Sequence, residues 1–188
     1  MFDGQRSPPA SYAETDLPAP VNVYGASKLA GEHLVAQACP RALIVRTASL
    51  FGGRGARGKG GNFVTAILAR ARAGEVLRVV DDVWMTPTYA PDAARALVGL
   101  LVAGVTGTVH VANSGPCTWY AFARRALALA GIDAVIEPVP ASAYPMRARR
   151  PANSALDTTQ AARLLGGPLR PWEDALADYV AVLTGRAG

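Results

Sequence analysis

Apolar positions along this chain follow two rhythms that take turns. Ala42-Leu43-Ile44-Val45 is a short unbroken apolar run after a Pro-Arg break and reads as a buried parallel strand. Val76-Leu77-Arg78-Val79-Val80 and Val135 to Val139 read as further strands, and Gly107-Thr108-Val109-His110-Val111-Ala112 alternates as a strand does. Helical spacing occupies the intervals: Val23 to about Ala38, Phe63 to Ala73, Ala90 to Ala103, a helix capped by Thr118 and running to Ala130, then Thr158 to Leu165 and Trp172 to Leu183. Residues 1–20 carry four prolines and read as loop, and residues 141–154 are irregular and basic. Helices alternating with strands define an α/β protein.

The first helix carries the most specific chemistry. Pro18 and Pro20 forbid a helix before Val21, and Asn22 is placed to cap one. Ala26, Leu29, Ala30, His33 and Leu34 form its expected packing stripe, with His33 a helix-surface residue. Tyr24 and Lys28 lie four positions apart, so they stand one above the other on one face. An ammonium beside a phenol favours the phenolate, and such a pair can move a proton to or from an alcohol oxygen. The same spacing also occurs as an exposed Tyr beside a solvated Lys. The strand after this helix ends at Arg46-Thr47, the edge where open α/β sheets bind ligands.

The run from Gly52 to Gly61 imitates two phosphate-binding motifs. Gly53, Gly55 and Gly58 satisfy G-x-G-x-x-G, with Glu75 about twenty residues on. The third glycine should open a helix, and Lys59-Gly60-Gly61 cannot do so promptly. The P-loop pattern fails because Gly60 stands where a Ser or Thr must bind magnesium. A loop is expected, whose Arg54, Arg57 and Lys59 are available to an anionic substrate. Residues 81–89 hold two aromatics and three hydroxyls, either a sugar-contacting loop or an ordinary connector with a buried Trp.

Composition narrows the classes. The chain has 188 residues, 51% of them hydrophobic, which suits a packed globular protein rather than a disordered one. The net charge of +5 comes almost wholly from scattered arginines, so no nucleic-acid footprint is expected. Cys39 and Cys117 form neither a zinc pattern nor a disulfide framework, which points to a reducing cytoplasm. No apolar run approaches a membrane span, and residues 1–9 lack a signal-peptide core.

Asn22-Val23-Tyr24-Gly25-Ala26-Ser27-Lys28-Leu29-Ala30-Gly31-Glu32 resembles the active-site helix of extended short-chain dehydrogenase/reductases, and most closely the dTDP-4-dehydrorhamnose reductase family. Six further segments match in order: Phe2-Asp3-Gly4, Arg46-Thr47, Gly61-Asn62-Phe63-Val64, Val79-Val80-Asp81-Asp82, Pro87-Thr88-Tyr89, and Arg149-Arg150-Pro151 followed by Asn153-Ser154. The resemblance implies the C-terminal half of a Rossmann-type doubly wound parallel sheet plus a small α/β substrate domain. Residues 1–52 would belong to the dinucleotide-binding domain and 53–188 mainly to the substrate domain, with about 88–112 returning to the Rossmann core. It implies NADPH or NADH as cofactor and reduction of a dTDP-linked 4-keto deoxyhexose, with Tyr24 as proton donor. Lys28 would tune Tyr24 and hold the nicotinamide ribose. Tyr24, Lys28, Arg46 and Thr47 are the expected cofactor contacts, and Ser49, Asn62, Thr88 and Arg150 the expected substrate contacts. Magnesium at an oligomer interface, a homodimer, or an upstream half supplied by another chain are implied by the resemblance alone.

Two departures qualify the match. Many family members place a Trp where this chain has Ser49, which weakens the inference to rhamnose chemistry more than that to sugar-nucleotide reduction. The family's glycine-rich strand-turn-helix and its catalytic Ser or Thr fall upstream of the point where Met1 aligns. The chain by itself is therefore expected to bind NAD(P)H poorly and to self-associate through an uncovered sheet face. A non-catalytic sugar-nucleotide-binding or regulatory subunit is the alternative reading, since the family includes a regulatory subunit of methionine adenosyltransferase.

Overall fold

A computed structural model of the chain describes residues 1–53, 61–144 and 147–186. Helix α1 (Val23–Ala38) starts where the prolines end. The Asn22 side chain accepts the Gly25 N–H at 2.8 Å and so caps it. Gly25 is required by the approach of the preceding loop, because a Cβ there would lie 2.9 Å from that of Pro20.

Two packed cores follow from the pairing of the longer strands. Strand β1 (Leu43–Arg46) pairs in parallel with β6 (Gly107–His110), Leu43 opposite Gly107 and Arg46 opposite His110. Helices α3 (Ala90–Val102) and α5 (Thr159–Leu165) supply the remainder of this core, centred on Ala96, Leu100, Val109, Val111 and Ala161. The larger core forms where β3 (Leu77–Val80) pairs in parallel with β8 (Ile136–Val139) under helices α2 (Phe63–Arg72), α4 (Trp119–Ala130) and α6 (Trp172–Leu183). On β3, Leu77 and Val79 are buried while Arg78 is exposed, so the strand presents its apolar face to the helices.

The two cores are joined by polar groups as well as by chain. Asp92, buried at the start of α3, accepts hydrogen bonds from Arg170 and Asn113 and pairs with Arg95. Burial alone would raise its carboxyl, but the Arg170 and Asn113 bonds outweigh burial and hold it below the ordinary carboxylate range. A third, small cluster stacks Phe2 on Tyr12 at 4.3 Å and packs Leu156 beside them, tying the first residues to the segment before α5.

Residues 81–89 differ from the loop expected. They contain strand β4 (Trp84–Met85), antiparallel to β7 (Cys117–Thr118), and strand β5 (Thr88–Tyr89), parallel to β2 (Leu50–Phe51). Met85, Thr86 and Thr88 are buried there, while Asp81 and Asp82 are exposed. Helix α1 also departs from expectation. Ala26, Ala30 and Leu34 of its predicted stripe are exposed, His33 is exposed as its surface reading has it, and only Gly25 among the helix's sixteen residues is buried. No described element packs over that face. The expected contacts of Arg54, Arg57 and Lys59 lie outside the described residues. No helix among the described residues is long and apolar enough to cross a membrane.

Candidate active site

Tyr24, Lys28 and Glu32 recur every fourth residue of α1, and all three line one cleft of about 430 Å³. Its opposite wall is the C-terminal end of β1, with Arg46, Thr47 and Ala48, and its apolar floor includes Phe2, Val45 and Leu156. The Lys28 ammonium stands 5.3 Å from the centroid of the Tyr24 ring, close enough for the two to act as one unit. Tyr24 is 72% exposed, so its hydroxyl is reachable from outside the chain.

Glu32 fixes this face of the helix against the sheet. Its carboxylate accepts from Arg46 Nε at 3.0 Å and from Arg46 Nη2 at 2.8 Å, and both side chains are nearly buried. The bidentate fork holds the pair in one geometry. Arg46, expected to touch a cofactor, lines the cleft and commits its Nε and Nη2 to Glu32. Its Nη1 is buried with no hydrogen-bond partner among the described residues, and its guanidinium lies 5.6 Å from the centre of the Phe2 ring.

A second cleft, of about 740 Å³, meets the first at Tyr24. Arg147, Arg149 and Arg150 line it, together with Asn22. Asn22 Nδ2 donates to the Arg149 carbonyl at 2.8 Å, so the residue that caps α1 also anchors the arginine segment. None of the three arginines forms a salt bridge among the described residues. Tyr24 thus stands between an apolar cleft containing an ammonium and an open cationic one.

The other expected contacts are distributed unevenly. Thr47 is exposed on the first cleft and Arg150 on the second. Ser49 lines neither and adopts a left-handed backbone, φ 44°. Thr88 lines neither cleft: it is fully buried and donates to the Ala48 carbonyl at 2.6 Å. Asn62 is also not brought to the clefts. Its Oδ1 caps α2 at Val64 and Thr65, and its Nδ2 donates to the Tyr179 hydroxyl at 2.7 Å. That cap satisfies two of the N–H groups a phosphate would need at this helix start.

Glu32 and Ser154 belong to the first cleft but were not singled out as contacts from sequence. The repeat of four from Tyr24 through Lys28 to Glu32 was the available signal for the first, and the Asn153-Ser154 match for the second. Asn153 is wholly buried and donates to the carbonyls of Arg6 and Ala10, a fastening role. His110 is buried at the end of β6, its Nδ1 donating to the Tyr12 carbonyl at 3.1 Å. Burial pushes its imidazole below the usual histidine range, and nearby Arg46 acts in the same direction against Glu14. No group of three or more His, Cys, Asp or Glu among the described residues is placed to hold a metal ion.

Residues 1–184 match the family model described as the RmlD substrate binding domain. The chain is 41% identical over 186 residues to a dTDP-4-dehydrorhamnose reductase of Mycobacterium tuberculosis, covering 96% of this chain and 60% of that protein. A crystal structure of a dTDP-4-dehydrorhamnose reductase from Clostridium acetobutylicum superposes with a TM-score of 0.87 at 34% identity, over 97% of this chain and 62% of that one. The Bacillus anthracis enzyme of the same name, solved in complex with NADP, gives a TM-score of 0.85 at 35% identity, over 95% and 61%. The chain thus spans about 60% of the length of the relatives it matches, and its fold is the corresponding part of their Rossmann-like α/β architecture.

Proposed function

The chain belongs to the RmlD substrate binding domain family, and on that premise we propose that it carries the proton-donating and substrate-binding side of a reductase acting on a dTDP-linked 4-keto deoxyhexose. The observation that carries this reading is the joint placement of Tyr24 and Lys28 on one cleft, at the C-terminal edge of β1, where it meets the cationic cleft. A ketone placed beside Tyr24 has a hydroxyl to protonate its oxygen, and the arginines offer charge to a diphosphate.

The first cleft suits the nicotinamide-ribose part of NADPH or NADH. It combines an apolar floor for a ring with the Lys28 ammonium and the Thr47 hydroxyl for ribose oxygens. When bound, the cofactor supplies hydride to the 4-keto carbon. Tyr24 delivers its proton to the oxygen, so that the carbonyl becomes an alcohol. Lys28 stabilises the phenolate left behind until a proton returns to it. Glu32 and Arg46 keep the helix, and therefore the Tyr24 hydroxyl, at a fixed distance from the sheet edge.

The test joins this chain to the upstream dinucleotide-binding portion of a relative and supplies a dTDP-4-keto-6-deoxyhexose with NADPH or NADH. Formation of the 4-hydroxy sugar nucleotide with matching consumption of reduced cofactor is expected. A correctly folded protein that binds both ligands and forms no product would overturn the reductase reading in favour of a binding subunit.

A further inference from the structure

Lys28 stands on α1 between a phenol and a carboxylate, with Tyr24 one turn before it and Glu32 one turn after it on the same cleft. In an α-helix each Cα–Cβ bond tilts toward the N-terminus, so a side chain leans over the residue four positions earlier. Lys28 leans toward Tyr24 on that account, and its ammonium lies 5.3 Å from the centroid of that ring. By the same rule Glu32 is directed at Lys28. A carboxylate one turn away is a ready partner for an ammonium, and pairs of this spacing form on helix surfaces. Yet Lys28 forms no salt bridge among the described residues.

Arg46 holds the carboxylate elsewhere. Its Nε donates to both Glu32 oxygens at 3.0 and 3.2 Å, and its Nη2 donates to one of them at 2.8 Å. Arg46 is itself held from the sheet side. Its guanidinium lies over the Phe2 ring at 5.6 Å, Phe2 stacks on Tyr12, and the His110 ring meets Phe2 edge to face with centroids 5.9 Å apart. A carboxylate held by such a fork, with both side chains nearly buried, is not free to swing to a second cation.

We propose that Arg46 is a positioning residue that keeps Glu32 off Lys28 and so leaves the Lys28 charge to Tyr24, a role that rests on the reading of Tyr24 as proton donor. The two members of the pair then have opposite effects. Without Arg46, Glu32 is an unpaired negative charge that draws Lys28 away and disfavours the Tyr24 phenolate. Without Glu32, Arg46 is an unpaired positive charge on the Tyr24 cleft and favours it. The other charges near Tyr24 do not change with these substitutions. They are Arg147, Arg149 and Arg150 on the second cleft, His33 on α1, and the Met1 amino group beside Arg46 and Glu32. Behind Arg46 lie His110 and Glu14, which accepts the His110 backbone N–H.

The experiment is an ultraviolet pH titration of tyrosinate absorbance in the chain. Each variant's Tyr24→Phe counterpart is subtracted, so that Tyr24 alone is read among the six tyrosines. Arg46→Leu should move the Tyr24 midpoint up by about half a unit, the size of one charge several ångströms away through solvent. Glu32→Gln should move it down by about as much. Arg46→Lys keeps the charge and should lie closer to wild type than Arg46→Leu. The double variant Arg46→Leu, Glu32→Gln removes both charges and should return the midpoint to the wild-type value, although the fastening of α1 is lost. A pair that only braces the helix gives shifts of one sign in both single variants and the largest shift in the double. That result, or an unmoved midpoint in Arg46→Leu, overturns the proposal. If Arg46→Leu does not fold, Glu32→Gln decides alone, and a midpoint unmoved or moved up overturns it. The titration needs neither substrate nor cofactor, so the two readings fail separately. Absence of turnover leaves the Arg46 result standing, and an unmoved midpoint leaves turnover at Tyr24 to be judged by product formation.

Discussion

The larger core and helix α1 are built on opposite terms. In the core, Val64, Leu68, Leu77, Phe122 and Leu176 are essentially removed from solvent, and three helices close over one strand pair. Helix α1 buries one glycine, and Val23, Leu34 and Val35 on it are exposed. What holds α1 is a few polar fastenings: the Asn22 cap, the Asn22 bond to the Arg149 carbonyl, and the Glu32–Arg46 pair. Stability of the described chain therefore resides mainly in the larger core, and the proposed proton donor sits on the α-helix with the smallest buried share. A helix fixed by a few polar contacts can be displaced without unfolding the remainder, so the two regions should respond differently to substitution and to pH.

The largest contrast is in apolar truncation. Leu176→Ala should cost about 2–5 kcal/mol in urea unfolding, because it opens a cavity in a closed core. Leu34→Ala, at 66% exposure on α1, should change stability by less than about 0.5 kcal/mol. Comparable losses at both positions would erase the distinction. Next is Glu32→Ala, which leaves the nearly buried Arg46 charge without its partner. A loss of about 2–3 kcal/mol is expected, read by urea unfolding. Hydrogen exchange should quicken across α1 with little change in α4, and uniform quickening would show that the pair supports the whole fold instead. Asn22→Ala removes the cap and should cost about 1 kcal/mol by the same measure, with exchange again confined to the start of α1.

The smallest effect concerns pH. His110 is held neutral in the fold, its pKa below the usual histidine value near about 6.5. As pH falls through that value the unfolded chain takes up the proton first, so the stability this residue contributes is present above about 6.5 and declines below it. Thermal unfolding should show a Tm that drops between about pH 7.5 and 5.5 in wild type and drops less in His110→Asn. Equal slopes would place the titrating group elsewhere. The Asp92 carboxyl, held low by Arg170 and Asn113, protects stability in a separate and more acidic range.

Much of this arrangement was legible in the sequence because the deciding signals were local. Prolines 18 and 20 with Asn22 fix the start of α1, and the apolar run before Arg46 fixes β1. The two-residue strands β4, β5 and β7 are too short to carry a period, so residues 81–89 resembled a loop, and the burial of Thr88 could not be seen. The stripe on α1 has helical spacing, but spacing cannot say whether a partner covers it. The Glu32–Arg46 pair joins a helix to a strand end, which spacing within either element cannot show. The rings of Phe63, Trp119 and Tyr144 meet only because α2, α4 and the segment after β8 converge on β3.

The most direct test of the account is the chemical step in Tyr24→Phe, measured with a dTDP-4-keto-6-deoxyhexose and reduced cofactor in the polypeptide joined to the dinucleotide-binding portion of a relative. Phenylalanine keeps the ring beside Lys28 and removes only the hydroxyl group. Turnover should fall by about 10²–10⁴, the usual worth of general acid catalysis, while dTDP affinity stays as in wild type. Equal turnover by Tyr24→Phe and wild type would contradict the account and leave the Tyr24–Lys28 pair a solvated helix face.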